Sequence, residues 1–209
     1  MKAAVASIEQ ALALAIAEAN EGRAERAMQR CEQARADYPP HPAVLQLLAV
    51  LCLKGGQLAR AGECIAASLA LRPDHAPSLM VAGDVARAAA DLPAAERAYA
   101  GVVAQLPAHA GAWFALALVR QDRRDLEGAA QALRVLLRVA PPRAEVEVNL
   151  GIVLQEAGRI DEAMRAYGRA YRLHEESFGR IAHALAAPGC GRLWLKLDEL
   201  REHLRTMPA

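Results

Sequence analysis

A proline returns every 34 residues in this chain, at Pro39, Pro73, Pro107 and Pro141. A fixed period of that size restricts a sequence to stacked supersecondary units, each too small to bury its own apolar face. Other columns keep the same step. Ala27, Ala61, Ala95, Ala129 and Ala163 share one register. Ala15, Ala49, Gly83, Ala117 and Gly151 share a second, and Leu14, Leu48, Ala82, Leu116 and Leu150 a third. With the proline at position 32 of the unit, the repeats run 8–41, 42–75, 76–109, 110–143 and 144–177.

Hydrophobic residues make up 54% of the chain and aromatic residues only 4%. So aromatic-poor and Ala-rich a mixture suits closely approaching helices, because Ala carries the least penalty in a helix. No run alternates with period two, so no strand is predicted. Lys and Arg number 25 against 24 Asp and Glu. That balance gives no reason to expect nucleic acid or an anionic membrane surface as partner. No stretch reaches the roughly 18 uncharged apolar residues of a membrane span. The N-terminus passes directly into an amphipathic pattern with Glu9 and Glu18, which does not resemble a signal peptide. Cys31, Cys52, Cys64 and Cys190 lack metal-ligand spacing, and a reduced, cytoplasmic protein is expected.

Each unit reads as two helices around a short turn. In the fifth, Ala144 to Ala157 forms the first helix, Gly158-Arg159 the turn, and Asp161 to His174 the second. Gly22, Gly55-Gly56 and Gly158 occupy the turn, where a residue free to take positive φ ends a helix. In the third unit Asp91-Leu92-Pro93 opens the second helix instead, since Pro is tolerated in a first turn. The periodic prolines stop the second helices. The small-residue columns mark close backbone approach. Large side chains fill the complementary columns: Leu45, Leu79 and Trp113 in one, Ile65, Tyr99, Leu133 and Tyr167 in another.

In the fifth unit Asn149-Leu150-Gly151, Leu154, Gly158, Ala163, Tyr167 and Ala170 carry a known pattern, as do Trp113, Leu116, Ala129 and Pro141 in the fourth. On these residues the chain resembles the tetratricopeptide repeat family over 8–177. The resemblance implies an all-α fold, a right-handed α-solenoid (superhelix) of stacked helix-turn-helix repeats. Glu147 departs from the pattern where an aromatic is usual. Glu175 stands in place of the next proline, so the last second helix is expected to run on. Ala11 and Glu18 make the first unit more polar, as a terminal repeat requires. Residues 178–209 are expected to supply C-terminal capping helices. Phe178, Ile181, Ala184 and Leu185 begin a sixth first helix, Pro188-Gly189-Cys190-Gly191 breaks it, and Leu193, Trp194, Leu197, Leu200 and Leu204 form a stripe that covers the open end.

Catalytic and metal chemistry find little support. His41, His75 and His109 recur with the repeat, one per inter-repeat turn. Packed helices lie about 8–10 Å apart, whereas zinc needs ligands at about 2.0–2.1 Å from one centre. Ser is scarce, and neither a nucleophile elbow nor a phosphate-cradling glycine loop occurs. Cys190 sits beside Arg192, which would favour its thiolate, but as a loop residue it needs no such role. Arg120, Arg123, Arg124, Arg134, Arg138 and Arg143 interleave with Asp122, Asp125 and Glu127 and read as a solvated face. No enzyme, no cofactor and no metal are expected.

The family resemblance implies a concave surface lined by first helices that binds peptides or helices. The positions carried over are Leu12, Ile16, Asn20, Gln46, Val50, Lys54, Met80, Asp84, Arg87, Phe114, Leu118, Gln121, Val148, Ile152 and Gln155. The row is mostly apolar with a polar residue near each helix end. The positions at which chaperone-binding members carry the basic and Asn side chains of a C-terminal carboxylate clamp hold Leu12, Gln46, Met80, Phe114 and Val148, and Ile16, Val50, Asp84, Leu118 and Ile152, so no such clamp is expected. A protein or peptide partner offering an apolar segment, helical or extended, is therefore expected. Two alternatives stay open: a self-assembling scaffold joining groove to terminal helix, and an accessory subunit of a glycosyl- or sulfotransferase-like system.

Overall fold

A computed structural model of the chain describes residues 7–186 and 197–208. Every regular element among them is helical. The chain forms two compact units, Met1–Gln105 and Leu106–Ala209.

The first unit holds three helix pairs: α1 (Ile8–Asn20) with α2 (Ala24–Asp37), α3 (Pro42–Lys54) with α4 (Leu58–Leu71), and α5 (Ala76–Ala88) with α6 (Leu92–Gln105). Within it each second helix packs on the first helix of the next pair, and α1, α3 and α5 lie side by side. The second unit holds α7 (Ala110–Asp122) with α8 (Leu126–Val139), and α9 (Ala144–Glu156) with α10 (Ile160–Leu173). A short 3-10 turn (Glu175–Ser177), α11 (Phe178–Leu185) and α12 (Leu197–Thr206) follow. The last second helix does not run on past Glu175. His174 is extended, and the 3-10 turn redirects the chain.

All five turns inside the pairs are built alike. Residues 22, 56, 90, 124 and 158 take positive φ, and the next residue's N–H bonds back to the carbonyl five positions earlier, as in Asp91 to Ala86 at 2.9 Å. This is the Schellman closure of a helix. Three turns use Gly, but Ala90 (φ 60°) and Arg124 (φ 66°) adopt the left-handed conformation with a Cβ. Those same two turns carry the side-chain caps. Asp91 accepts from the Ala94 N–H at 3.0 Å, and Asp125 from the Gly128 N–H at 3.0 Å. A cap contributes about 1 kcal/mol, comparable with the roughly 1–2 kcal/mol that a left-handed residue costs.

Contact between paired helices follows a volume rule. Ala27, Ala61, Ala95, Ala129 and Ala163 are all buried. Opposite the large-residue column, Gly83 lies against the ring of Tyr99 and Gly151 against that of Tyr167, so closely that a Cβ on either would penetrate the ring. Where the large residue is Cys31, Ile65 or Leu133, the partner is Ala15, Ala49 or Ala117. Glycine appears where tyrosine does.

The ends of the array are finished differently. In the first repeat Glu18 accepts two hydrogen bonds from Arg30, at 3.0 and 2.8 Å. Arg30 occupies the register of Cys64, Ala98, Ala132 and Ala166. An arginine paired to Glu18 thus stands where inner repeats place Cys or Ala, and Leu14 is 50% exposed while its counterpart Leu48 is buried. At the other end α12 packs along α10 and buries Leu200 and Leu204. Gly168 allows the approach, since a Cβ there would stand 2.8 Å from the Met207 Cβ. Arg172 donates to the Met207 carbonyl at 2.8 Å, and Arg201 lies 4.4 Å over the Phe178 ring. Leu193, Trp194 and Cys190 lie outside the described residues.

Two stability predictions result. Ala in place of Gly normally favours a helix by about 1 kcal/mol, yet Gly151→Ala and Gly83→Ala are expected to destabilise by about 1–3 kcal/mol through overpacking. Ala90→Gly and Arg124→Gly are expected to stabilise by about 0.5–1 kcal/mol by relieving the left-handed strain. Denaturant midpoints of the four variants against the parent check both signs.

Candidate functional site

The first helices present their expected row in each unit separately. In the first unit Leu12 and Val50 are half-buried and pack against the core, and Gln46 and Met80 are also half-buried. Ile16 is 43% exposed, and Asn20, Lys54 and Arg87 are exposed at the helix ends. Asp84 is not free for a ligand in the same way, because its carboxylate accepts the Tyr99 hydroxyl at 2.7 Å. Burial, and then that bond to the Asp84 carboxylate, pushes the Tyr99 phenol well up, so it stays a donor. Gln46 Oε1 lies 3.4 Å from Ser78 Oγ, at the edge of a network joining α3, α4 and α5. There Ser68 donates to the Pro42 carbonyl at 2.9 Å and lies 3.0 Å from Ser78, which His75 Nδ1 meets at 2.9 Å.

In the second unit Phe114 is half-buried, one side against the core, and Leu118 and Gln121 are half-buried beside it. Gln121 donates to Glu156 at 2.9 Å. The fifth repeat differs. Val148 and Gln155 are buried rather than open to a ligand, and Ile152 packs against the same core. Helix α11 lies against α9, and Ile181 and Leu185 belong to the same core cluster as Val148. Gln155 donates to the Ala184 carbonyl at 2.7 Å and accepts from the Tyr167 hydroxyl at 2.9 Å. Its amide is consumed by structure. A sequence signal for this existed in Tyr167, whose hydroxyl needs a partner once its ring is buried. Glu147, in the aromatic register, is buried and takes two hydrogen bonds from Arg169 at 2.8 and 3.0 Å.

Several of the remaining chemistry-bearing residues serve the fold. His109 caps α7, accepting from the Ala112 N–H at 3.0 Å, and His41 and His75 stand at the starts of α3 and α5. Cys31, Cys52 and Cys64 are free and buried; burial raises all three thiols, Cys31 to about 11, which keeps them protonated and poorly nucleophilic. Among the described residues no three His, Cys, Asp or Glu side chains are grouped to hold a metal ion, and no helix is long and apolar enough to cross a membrane. Arg134 and Arg159 share Glu127 and Glu162 in a four-residue ion network between α8 and α10, at 2.7 to 3.7 Å. Half-exposed pairs of that kind add little stability.

Comparison with known proteins returns two matching family models, both described as tetratricopeptide repeat, over residues 19–81 and 74–144. Among solved structures, MamA (41-end) from Desulfovibrio magneticus RS-1 is 20% identical, with a TM-score of 0.75, covering 81% of this chain and 96% of that one. MamA MSR-1 is 21% identical at a TM-score of 0.71, covering 81% and 98%. A further MamA crystal structure is 18% identical at 0.73, covering 78% and 95%. At those identities the likeness concerns the fold. No curated protein matches the chain.

The Glu147–Arg169 pair permits a direct test. Arg169→Leu alone leaves a buried carboxylate uncompensated and is expected to destabilise by about 3 kcal/mol or more. The double variant Glu147→Leu/Arg169→Leu is expected to recover most of that loss, which a double-mutant cycle of denaturation midpoints measures.

Proposed function

The chain belongs to the tetratricopeptide repeat family, and from that premise we propose that this protein-interaction scaffold receives an apolar segment of a partner protein on its first helices. The observation that carries the reading is the contrast between columns. The columns between paired helices are buried throughout, whereas Leu12, Val50 and Met80 in one unit, and Phe114 and Leu118 in the other, keep exposed area in two neighbouring registers. Burying a large aliphatic or aromatic side chain stabilises a complex by about 1.5–3 kcal/mol, so such a row gains most from an apolar ligand. Lys54 and Arg87, exposed in the last turns of α3 and α5, favour acidic residues flanking that segment. The proposed role is binding rather than catalysis: Cys31, Cys52 and Cys64 are buried thiols raised by burial, and the His109 ring caps α7.

Self-association by end-to-end stacking is disfavoured by the Glu18–Arg30 pair. Stacking on that face would desolvate the Glu18 carboxylate and the Arg30 guanidinium, the latter in a register that inner repeats fill with Cys or Ala.

The test is capture of a partner from the native cell with the full chain, followed by affinity measurements on folded variants. Phe114→Ala is expected to cost about 2 kcal/mol or more, as a central aromatic anchor does. Lys54→Ala and Arg87→Ala are expected to cost less and to change with salt. Normal binding by Phe114→Ala and Met80→Ala, together with loss on substituting exposed second-helix residues, would place the partner elsewhere and end this reading.

A further inference from the structure

His75 and His109 hold the same position of successive units, each as the residue before a first helix, α5 or α7. Their rings are bound in opposite senses. At His109 the partner of Nδ1 is the backbone N–H of Ala112, at 3.0 Å, and an N–H can only donate. Nδ1 therefore carries a lone pair, and the neutral ring keeps its hydrogen on Nε2.

At His75 the tautomer follows from the supply of hydrogens. Nδ1 lies 2.9 Å from Ser78 Oγ, Ser78 Oγ lies 3.0 Å from Ser68 Oγ, and Ser68 Oγ lies 2.9 Å from the Pro42 carbonyl. The two hydroxyls bring one hydrogen each. The carbonyl only accepts, so Ser68 donates there and Ser78 donates to Ser68. The remaining hydrogen sits on His75 Nδ1, which leaves the lone pair on Nε2. Gln46, 3.4 Å from Ser78, is too distant to alter this.

An imidazolium carries a hydrogen on both nitrogens, so acid acts differently on the two residues. At His75 the added proton goes to Nε2, and the bond to Ser78 persists. At His109 it goes to Nδ1, where it faces the Ala112 N–H and no lone pair is left to accept. The cap is lost, and a positive charge stands at a helix N-terminus, where the macrodipole disfavours it. The first turn of α7 holds no acidic residue to offset that charge. On α8, which packs on α7, Glu127 and Arg134 are tied into the ion network and Arg138 stands in the last turn. Arg143 and Glu145 stand at the start of α9. Gly111 lies inside the first turn of α7 and gives it little intrinsic helix preference, so the cap matters more there. Trp113, which donates to the Pro107 carbonyl at 2.8 Å, and Phe114 follow directly.

Resting on the interaction reading above, we propose that His109 is an acid-sensitive cap. Neutral, it holds the first turn of α7 and with it Phe114; protonated, it releases that turn and weakens partner binding, while His75 keeps its bond. The contribution is present at neutral and higher pH and is lost as pH falls through the range in which imidazoles take up protons. Burial, and then the nearby Arg72 charge, push the His75 imidazole below its usual range, so that ring stays neutral further into acid.

Long-range proton–nitrogen NMR spectra of the full chain at about pH 8 should place the ring hydrogen on Nε2 of His109 and on Nδ1 of His75. Protection of the Ala112 amide from exchange, corrected for the intrinsic rate, should fall about fivefold between about pH 8 and about pH 5, the factor a helix cap supplies. His109→Asn, whose side-chain oxygen caps without titrating, should remove that dependence, and His109→Ala should lower protection at both pH values. His75→Asn should leave the dependence as it is. The affinity of the captured partner should fall severalfold more with acid for the parent than for His109→Asn. A hydrogen on Nδ1 of neutral His109 overturns the proposal, as does an Ala112 protection that falls equally in the parent and His109→Asn. An affinity that falls equally in those two proteins removes the regulatory role and leaves the interaction reading standing. A partner indifferent to Phe114→Ala ends that reading and the regulatory role together, whereas the tautomer and Ala112 results decide the cap without any partner.

Discussion

Everything regular in this protein depends on how closely the two helices of a pair approach each other. The Ala27, Ala61, Ala95, Ala129 and Ala163 column is buried at every occurrence, and beside it a second pair of facing columns trades volume between one helix and the other. Tyr99 and Tyr167 are accommodated by Gly83 and Gly151, and smaller residues by Ala. Interiors packed near crystal density do not absorb an extra methylene without moving backbone. A shift in one pair would displace the surface on which the next first helix sits. The identical left-handed turn serves the same end, since it fixes the angle at which the second helix returns. Where Ala90 and Arg124 supply that conformation without glycine, an Asp cap follows immediately.

Polar pairs with buried or half-buried members stand in the first and last repeats. Glu18 and Arg30 close the outer face of the first repeat. Glu147 with Arg169, and Gln155 with Tyr167 and Ala184, belong to the last repeat, where α11 and α12 replace a further unit. In each case the buried polar atom has a partner of matching geometry. Without one, burial of such groups would cost about 1–3 kcal/mol apiece.

The helix pairs, the turns and the small-residue columns were legible in the sequence because each is local and recurs five times. The row of first-helix residues was legible as a register, but which members stay open was not. Val148 is buried in the large cluster of the second unit, and Gln155 is occupied by the Ala184 carbonyl 29 residues away. Periodicity carries no information about either event. Asp84 looked like a ligand contact for a related reason: its partner Tyr99 lies on the other helix of the pair. Glu175 misled because proline's absence permits a helix to continue without requiring it. The backbone at His174 is extended, and the chain enters a 3-10 turn whose first residue is Glu175 itself.

The contrast between α7 and α9 also bears on where a partner can bind within the second unit. A ligand for α9 would have to remove α11, re-exposing Ile181, Leu185 and Val148 and stripping the Gln155 amide of its acceptor. An attached helix competes at the effective concentration its tether sets, of the order of millimolar for a short link. Each large aliphatic side chain returned to water costs a further 1.5–3 kcal/mol or so. On α7 no such displacement is required, because Phe114, Leu118 and Gln121 already retain exposed area. Within the second unit the exposed area of the first-helix row therefore lies on α7, while on α9 Val148 and Gln155 are buried.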